Sequence, residues 1–156
     1  MIFTKDKITV KLYDSRKEMG EIAASDTAAK IEELLLVKDE INIIFAAAPS
    51  QNEFLASLVK ENRIDWSRIN AFHMDEYIGL EEDAPQRFGH FLKESIFGKV
   101  PFKQVNYING KALPSEECAR YEALLKQYPA DIVCLGIGEN GHIAFNDPHV
   151  ADFKDP

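Results

Sequence analysis

Two periodicities share this chain. Short apolar runs, continuous or alternating, recur between longer stretches in which apolar positions return every three or four residues. The first run, Ile8 to Tyr13 (ITVKLY), alternates and predicts an edge or half-buried strand. Ser15 and Glu18 then form S-x-x-E, a capping box that opens a helix carrying Met19, Ala23, Ile31 and Leu35 along one stripe. Ile41 to Ala48 (INIIFAAA) is almost unbroken, as expected of a strand buried on both faces of a parallel sheet. A helix from about Ser50 to Glu61 and a strand from Ile69 to Met74 follow, and then the polar loop DEYIGLEEDAPQ. A helix around Phe88 to Phe97, a short strand from Val105 to Ile108 and a helix from about Ser115 to Tyr128 come next. The strand Asp131 to Leu135 runs straight into GIGENGHIAFNDP.

Strand, helix, strand in this rhythm predicts an α/β fold: an open, mostly parallel, Rossmann-like sheet with helices on both faces and right-handed crossovers. Ligands of such sheets sit beyond the carboxyl ends of the strands, so chemistry is sought in the loops after Ile41–Ala48, Ile69–Met74 and Asp131–Leu135. With 156 residues, 46% of them hydrophobic, the chain has material for one core and is expected to form a single domain. Its net charge of -8 argues against nucleic-acid and anionic-membrane partners, while a few local donors still suffice for a small anion. The N-terminus reaches Lys5, Asp6 and Lys7 before any signal-like apolar stretch, and no apolar run approaches membrane-spanning length. Cys118 and Cys134 offer neither a disulfide framework nor a CxxC pair, which points to the cytoplasm.

The last loop is the richest. Gly136, Gly138 and Gly141 spell G-x-G-x-x-G after a strand, but Asn146-Asp147-Pro148 interrupts the helix that a dinucleotide fingerprint requires. A tight turn explains the glycines and leaves the cluster Asn140, His142, Asn146 and Asp147 to be explained. His142 with Asp147 is a candidate general base, the carboxylate fixing the tautomer; the alternative is a surface pair. After Ile69–Met74, the adjacent Asp75 and Glu76 repel one another if buried together, raising one pKa into a range useful for moving a proton to or from carbon. The alternative is a pair of solvated or capping carboxylates. After Ile41–Ala48, Ser50 and Glu53 make a second capping box, and the helix start is either an anion cradle or an ordinary cap. His73 is expected to point into packing or a hydrogen bond, and His90 and His149 lack metal-ligand spacing, so no metal is expected.

The segments AFHMDEYIGL (Ala71 to Leu80) and LGIGENGHIAFNDP (Leu135 to Pro148), with NYINGKA and ECARYEALL between them, resemble the glucosamine-6-phosphate deaminase (isomerase) family over essentially the whole chain. The related 6-phosphogluconolactonases typically carry Asp-Glu-Arg and Gly-His-Thr-Ala-Ser at the matching positions, so the deaminase branch is favoured. The resemblance implies that Asp75 shuttles a proton between C2 and C1 of an opened amino-sugar phosphate. It also implies that His142 accepts a proton during ring opening, assisted by Asn140 and Asp147, with no metal or organic cofactor. Ala47, Ala48, Ser50, Glu76, Gly138 and Gly141 are the positions it implies for substrate binding. The partner is then a small sugar phosphate, and a homo-oligomer is possible.

This sequence departs from the family pattern in three places. Asn140 stands where members have Asp or Asn, and Asp147 where Glu is usual, one methylene shorter. Ala46-Ala47-Ala48-Pro49-Ser50 replaces a Thr-Gly-Gly-Thr-Pro type of phosphate loop, which opens the choice of sugar phosphate. Because family members are longer, residues 1 to 156 are expected to lack a C-terminal part, to hold most of the acid/base groups in an incomplete substrate site, and to be inactive alone. Measurable deaminase turnover by these residues refutes that expectation.

Overall fold

A computed structural model describes residues 1–144, 146–152 and 154 of the chain. Phe145, in the second motif of the resemblance, and Phe153, Asp155 and Pro156 lie outside the described residues. The two most apolar runs form the central strands β3 (Ile41–Phe45) and β4 (Ile69–His73), and both are buried. They pair in parallel, Ile43 opposite Ala71 and Phe45 opposite His73. Strand β5 (Gln104–Asn106) joins the far side of β4 and β6 (Ile132–Cys134) the far side of β3, both parallel, giving the order β5-β4-β3-β6. The expected open parallel α/β sheet is therefore present.

The N-terminal segment departs from expectation. The run from Ile8 is not a strand of this sheet: β2 (Ile8–Lys11) pairs with an unanticipated β1 (Ile2–Lys5) as a separate antiparallel hairpin. Its turn uses Asp6 at φ 53°, a left-handed conformation that Asp tolerates better than most residues.

Helix α1 (Arg16–Leu35) begins where the capping box places it, the Glu18 N–H donating to Ser15 Oγ at 3.1 Å. Its buried face is rotated from the expected stripe. Gly20, Ala24, Ala28 and Ile31 are buried, while Met19 is 45% exposed. A Cβ at Gly20 would stand 2.8 Å from the Phe54 backbone nitrogen, so the missing side chain is what lets α1 lie directly on α2 (Asn52–Leu58). The second capping box does not form. Pro49–Gln51 is a 3-10 turn that places Ser50 inside it, and Arg16 of α1 holds the Glu53 carboxylate at 2.8 and 3.1 Å.

Helix α3 (Phe88–Leu92) continues into a π-helical turn (Lys93–Phe97), and α4 (Pro114–Gln127) starts on a proline at its first turn. One face of the sheet presents Ile41, Ile43, Phe45, Ile69 and Ala71 to a core completed by α1, α2, Leu92, Ile96 and Phe97. Each large side chain fully buried there contributes about 1.5–3 kcal/mol relative to exposure. By strand alternation Phe72 turns to the other face, against Tyr121 of α4 and Tyr128 just beyond it. Helices thus cover both faces. Among the described residues no helix is long and apolar enough to cross a membrane.

Candidate active site

Because β3 lies between β4 and β6, the loops leaving all three carboxyl ends are neighbours. They enclose a cavity of about 220 Å³. Of the residues anticipated from sequence, Ala47, Ala48, Ser50, Asp75, Gly138 and His142 line it. Met74, Phe88, Ile137 and Ala144 line it too and were not anticipated. Asn140, Gly141, Asp147 and Glu76 are not among its lining residues.

Asp75 and Glu76, indistinguishable by type, are driven apart by backbone geometry. Asp75 is half-buried at the cavity, and burial, reinforced by the charge of Glu76, pushes its carboxyl above the ordinary carboxylate range. The Glu76 side chain has no exposed surface. Its Oε1 accepts from the N–H groups of Tyr77 (2.9 Å) and Phe88 (3.0 Å), and its Oε2 from the Gly89 N–H (2.9 Å) and Arg87 Nε (3.3 Å). The Glu76 carboxylate, from which a substrate contact is expected, here fastens the loop after β4 to the first turn of α3. Glu76→Ala leaves those donors and Arg87 uncompensated and is expected to lower stability by about 3–5 kcal/mol in urea unfolding. A loss below about 1 kcal/mol, the scale of a solvent-exposed pair, contradicts the role.

The loop after β6 folds back on itself instead of opening a helix. The Gly138 N–H donates to the His142 carbonyl (2.9 Å), the Gly141 N–H to the Gly138 carbonyl (2.9 Å), and Gly141 has φ +87°. The His142 ring lies on Gly138, where a Cβ would come within 2.2 Å of Cε1. Asn140 Oδ1 accepts from the His142 N–H (3.2 Å) and sits 2.5 Å from Nδ1, while Asn140 Nδ2 donates to Asp147 Oδ1 (2.8 Å). An amide oxygen can only accept, so Nδ1 carries the proton and Nε2 is the ring nitrogen left to take one. Asp147 Oδ1 stands 3.4 Å from Nδ1, with Asn140 bonded to both, so the pairing expected between His142 and Asp147 is made mainly through Asn140.

The loop after β3 begins with the Ala46 N–H donating to the Cys134 carbonyl (2.9 Å), which draws it toward β6. Among the described lining residues Ser50 carries the one hydroxyl, and it accepts from Gln51 Nε2 at 3.3 Å. A Cβ at Gly136 would come 3.1 Å from Ser50 Oγ, so that glycine allows the two loops to close on one another. Both thiols are free, and burial pushes that of Cys134 up to about 12, leaving it unsuited to nucleophilic work at neutral pH. Among the described residues no group of three His, Cys, Asp or Glu side chains is placed to hold a metal ion.

The parallel α/β sheet thus gathers a carboxylic acid and an imidazole into one cavity beyond the carboxyl ends of its strands, where ligands of such sheets sit. The family model for glucosamine-6-phosphate isomerases and 6-phosphogluconolactonase matches residues 14–149, and the chain belongs to that family. The glucosamine-6-phosphate deaminase of Listeria innocua is 37% identical over 130 residues, which are 83% of this chain and 56% of that protein. That of an Exiguobacterium species is 39% identical over 122 residues, 74% of this chain and 48% of the relative. Among solved structures, a monomeric glucosamine-6-phosphate deaminase superposes with a TM-score of 0.79 at 29% identity, covering 92% of this chain and 60% of that one. The 6-phosphogluconolactonase of Thermotoga maritima superposes with a TM-score of 0.75 at 25% identity, covering 86% and 61%. The chain thus spans about half the length of the relatives it matches.

Proposed function

We propose that this chain carries the acid–base groups of an amino-sugar phosphate deaminase/isomerase, acting on glucosamine 6-phosphate and water to give fructose 6-phosphate and ammonia. The supporting observation is that Asp75 and His142, on loops from different strands, line the same cavity. His142 takes a proton at Nε2 as the sugar ring opens, with Asn140 and Asp147 holding its tautomer. Asp75 removes the proton from C2 and returns it at C1, its raised pKa matching a group that must both accept and release. Ser50 Oγ, with the backbone of Ala47, Ala48 and Gly138, meets the sugar phosphate, and Gly141 shapes the turn behind them. These are general acid/base steps and the reading assigns them no metal or organic cofactor. The setting is cytoplasmic, and a homo-oligomer is compatible with it.

The deciding experiment is ammonia release by the complete native protein, with glucosamine 6-phosphate assayed beside other hexosamine and hexose phosphates. Preference for glucosamine 6-phosphate supports the reading. Three alanines and a single hydroxyl at the loop after β3 favour, as a second reading, a different sugar phosphate, and a clear preference for one of the others in the same screen selects it. Calorimetric binding without turnover of any of them marks a sugar-phosphate sensor instead.

A further inference from the structure

His73 takes no part in the proton transfers assigned to Asp75, yet its imidazole is buried to 1% exposure against the backbone of that residue. Neither ring nitrogen is idle. The Ile108 N–H donates to Nε2 at 2.8 Å, and Nδ1 lies 2.9 Å from the Asp75 carbonyl oxygen. An amide N–H can only donate, so Nε2 must be bare; a carbonyl can only accept, so Nδ1 must carry the proton. The network thus specifies one neutral tautomer. Burial, which holds the imidazole below its ordinary pKa, acts in the same direction.

The ring is itself immobilised. Tyr121 of α4 donates its hydroxyl to the His73 carbonyl (2.8 Å) and accepts from the His73 N–H (3.1 Å), while the rings of Tyr107 and Tyr121 stand edge-on to the imidazole. A chain of bonds therefore runs from α4 through the end of β4 to the backbone of Asp75, with a branch to the chain just beyond β5. Asp75 lies past the last paired residue of β4, so no sheet ladder fixes it. The imidazole supplies the missing support.

We infer that His73 is the positioning residue for Asp75: by holding the Asp75 carbonyl it sets the depth and direction of that carboxyl in the cavity. The inference rests on the proposed role of Asp75, and its test has one readout that needs no turnover. In carbon-detected NMR titrations the Asp75 carboxyl is expected to titrate above the ordinary range in the native protein, its charged neighbours being Glu76 and, through Glu76, Arg87. His73→Leu fills the space without either bond and is expected to move that titration toward the ordinary value. In the same variant kcat for ammonia release from glucosamine 6-phosphate is expected to fall on the order of 10- to 100-fold, as for a group displaced by about 1 Å, with KM little changed. His73→Asn places an amide N–H near the position of Nδ1 and is expected to restore most of both. Asn70→Ala, which breaks the buried Asn70–Asn42 bond (2.9 Å) earlier on the same strand, provides the comparison for lost stability alone. It is expected to lower the unfolding midpoint and change neither readout. An unchanged Asp75 titration in folded His73→Leu overturns the inference, as does Asn70→Ala reproducing both effects. Native protein that releases no ammonia while His73→Leu still shifts the Asp75 titration counts against the deaminase reading and supports the positioning role.

Discussion

Asp75→Asn is expected to reduce kcat for ammonia release about 10²- to 10⁴-fold and, at neutral pH, to raise the unfolding midpoint. The two effects have one cause. Asp75 is held half-buried beside the buried Glu76, where its neutral form is preferred and its pKa is raised. A carboxyl whose folded-state pKa exceeds its unfolded value opposes folding once both states are ionised. That penalty is complete above the folded pKa and vanishes below the unfolded one. Asparagine keeps the shape and removes the charge, so the fold gains at neutral pH while the proton shuttle is lost. The pH profile carries the same sign: kcat/KM of the native protein falls as pH drops through the raised pKa, above the usual carboxylate range. Thermal melts and a pH–rate series check both halves. Wild-type turnover by the variant would end the mechanism assigned to Asp75.

Gly138→Ala is the second large effect, and its character is different. A methyl group here would stand 2.2 to 2.6 Å from three ring atoms of His142, far inside contact distance. The obstruction is the mobile end of a side chain, not backbone, so the ring swings away at little cost to stability. Swinging away breaks the bond to Asn140 and takes Nε2 out of register with the cavity. The expected outcome is a loss of turnover on the order of 10²-fold or more, as for removal of a general base, with an unfolding midpoint close to the native one. A parallel loss of stability and activity would show instead that the glycine serves the turn, not the ring.

Sequence reached the central sheet easily because β3 and β4 are buried on both faces, and such burial writes a largely apolar run into the chain, broken here only by Asn42, Asn70 and His73. It failed where burial needs little side chain. The contact face of α1 is Gly20, Ala24 and Ala28, residues that read as neutral in a hydropathy pattern, so bulkier neighbours such as Met19 drew the predicted stripe. The first hairpin was half seen because both strands are largely exposed and neither had to be apolar. At the site, chemistry and family likeness single out Asp75 and His142 as residue types able to move protons, and both line the cavity. The same logic selects Glu76. The direction of its side chain depends on the N–H groups of Phe88 and Gly89, twelve and thirteen residues away, which no local pattern encodes. Ile137 and Ala144 sit inside the glycine-rich loop but are apolar and carry no chemistry to single them out, and Phe88 reaches the cavity only through tertiary approach.

Within residues 1–156 the strand order holds the two halves of the cavity unequally. Of the three parallel ladders, β3 with β6 joins the segments farthest apart in sequence, and closing so long a loop is slow and entropically unfavourable. Asp75 follows β4, which is flanked on both sides, whereas the His142 loop hangs from β6, three residues long with one neighbouring strand among the described residues. Within residues 1–156, His142 is therefore carried by a strand with a ladder on one side and Asp75 by one with ladders on both. For residues 1–156, amide hydrogen exchange is expected to show weaker protection of β6 than of β3 and β4, and equal protection of all three contradicts that difference. In residues 1–156 the two halves of the cavity are thus held by unequal numbers of ladders, two beside Asp75 and one beside the His142 loop.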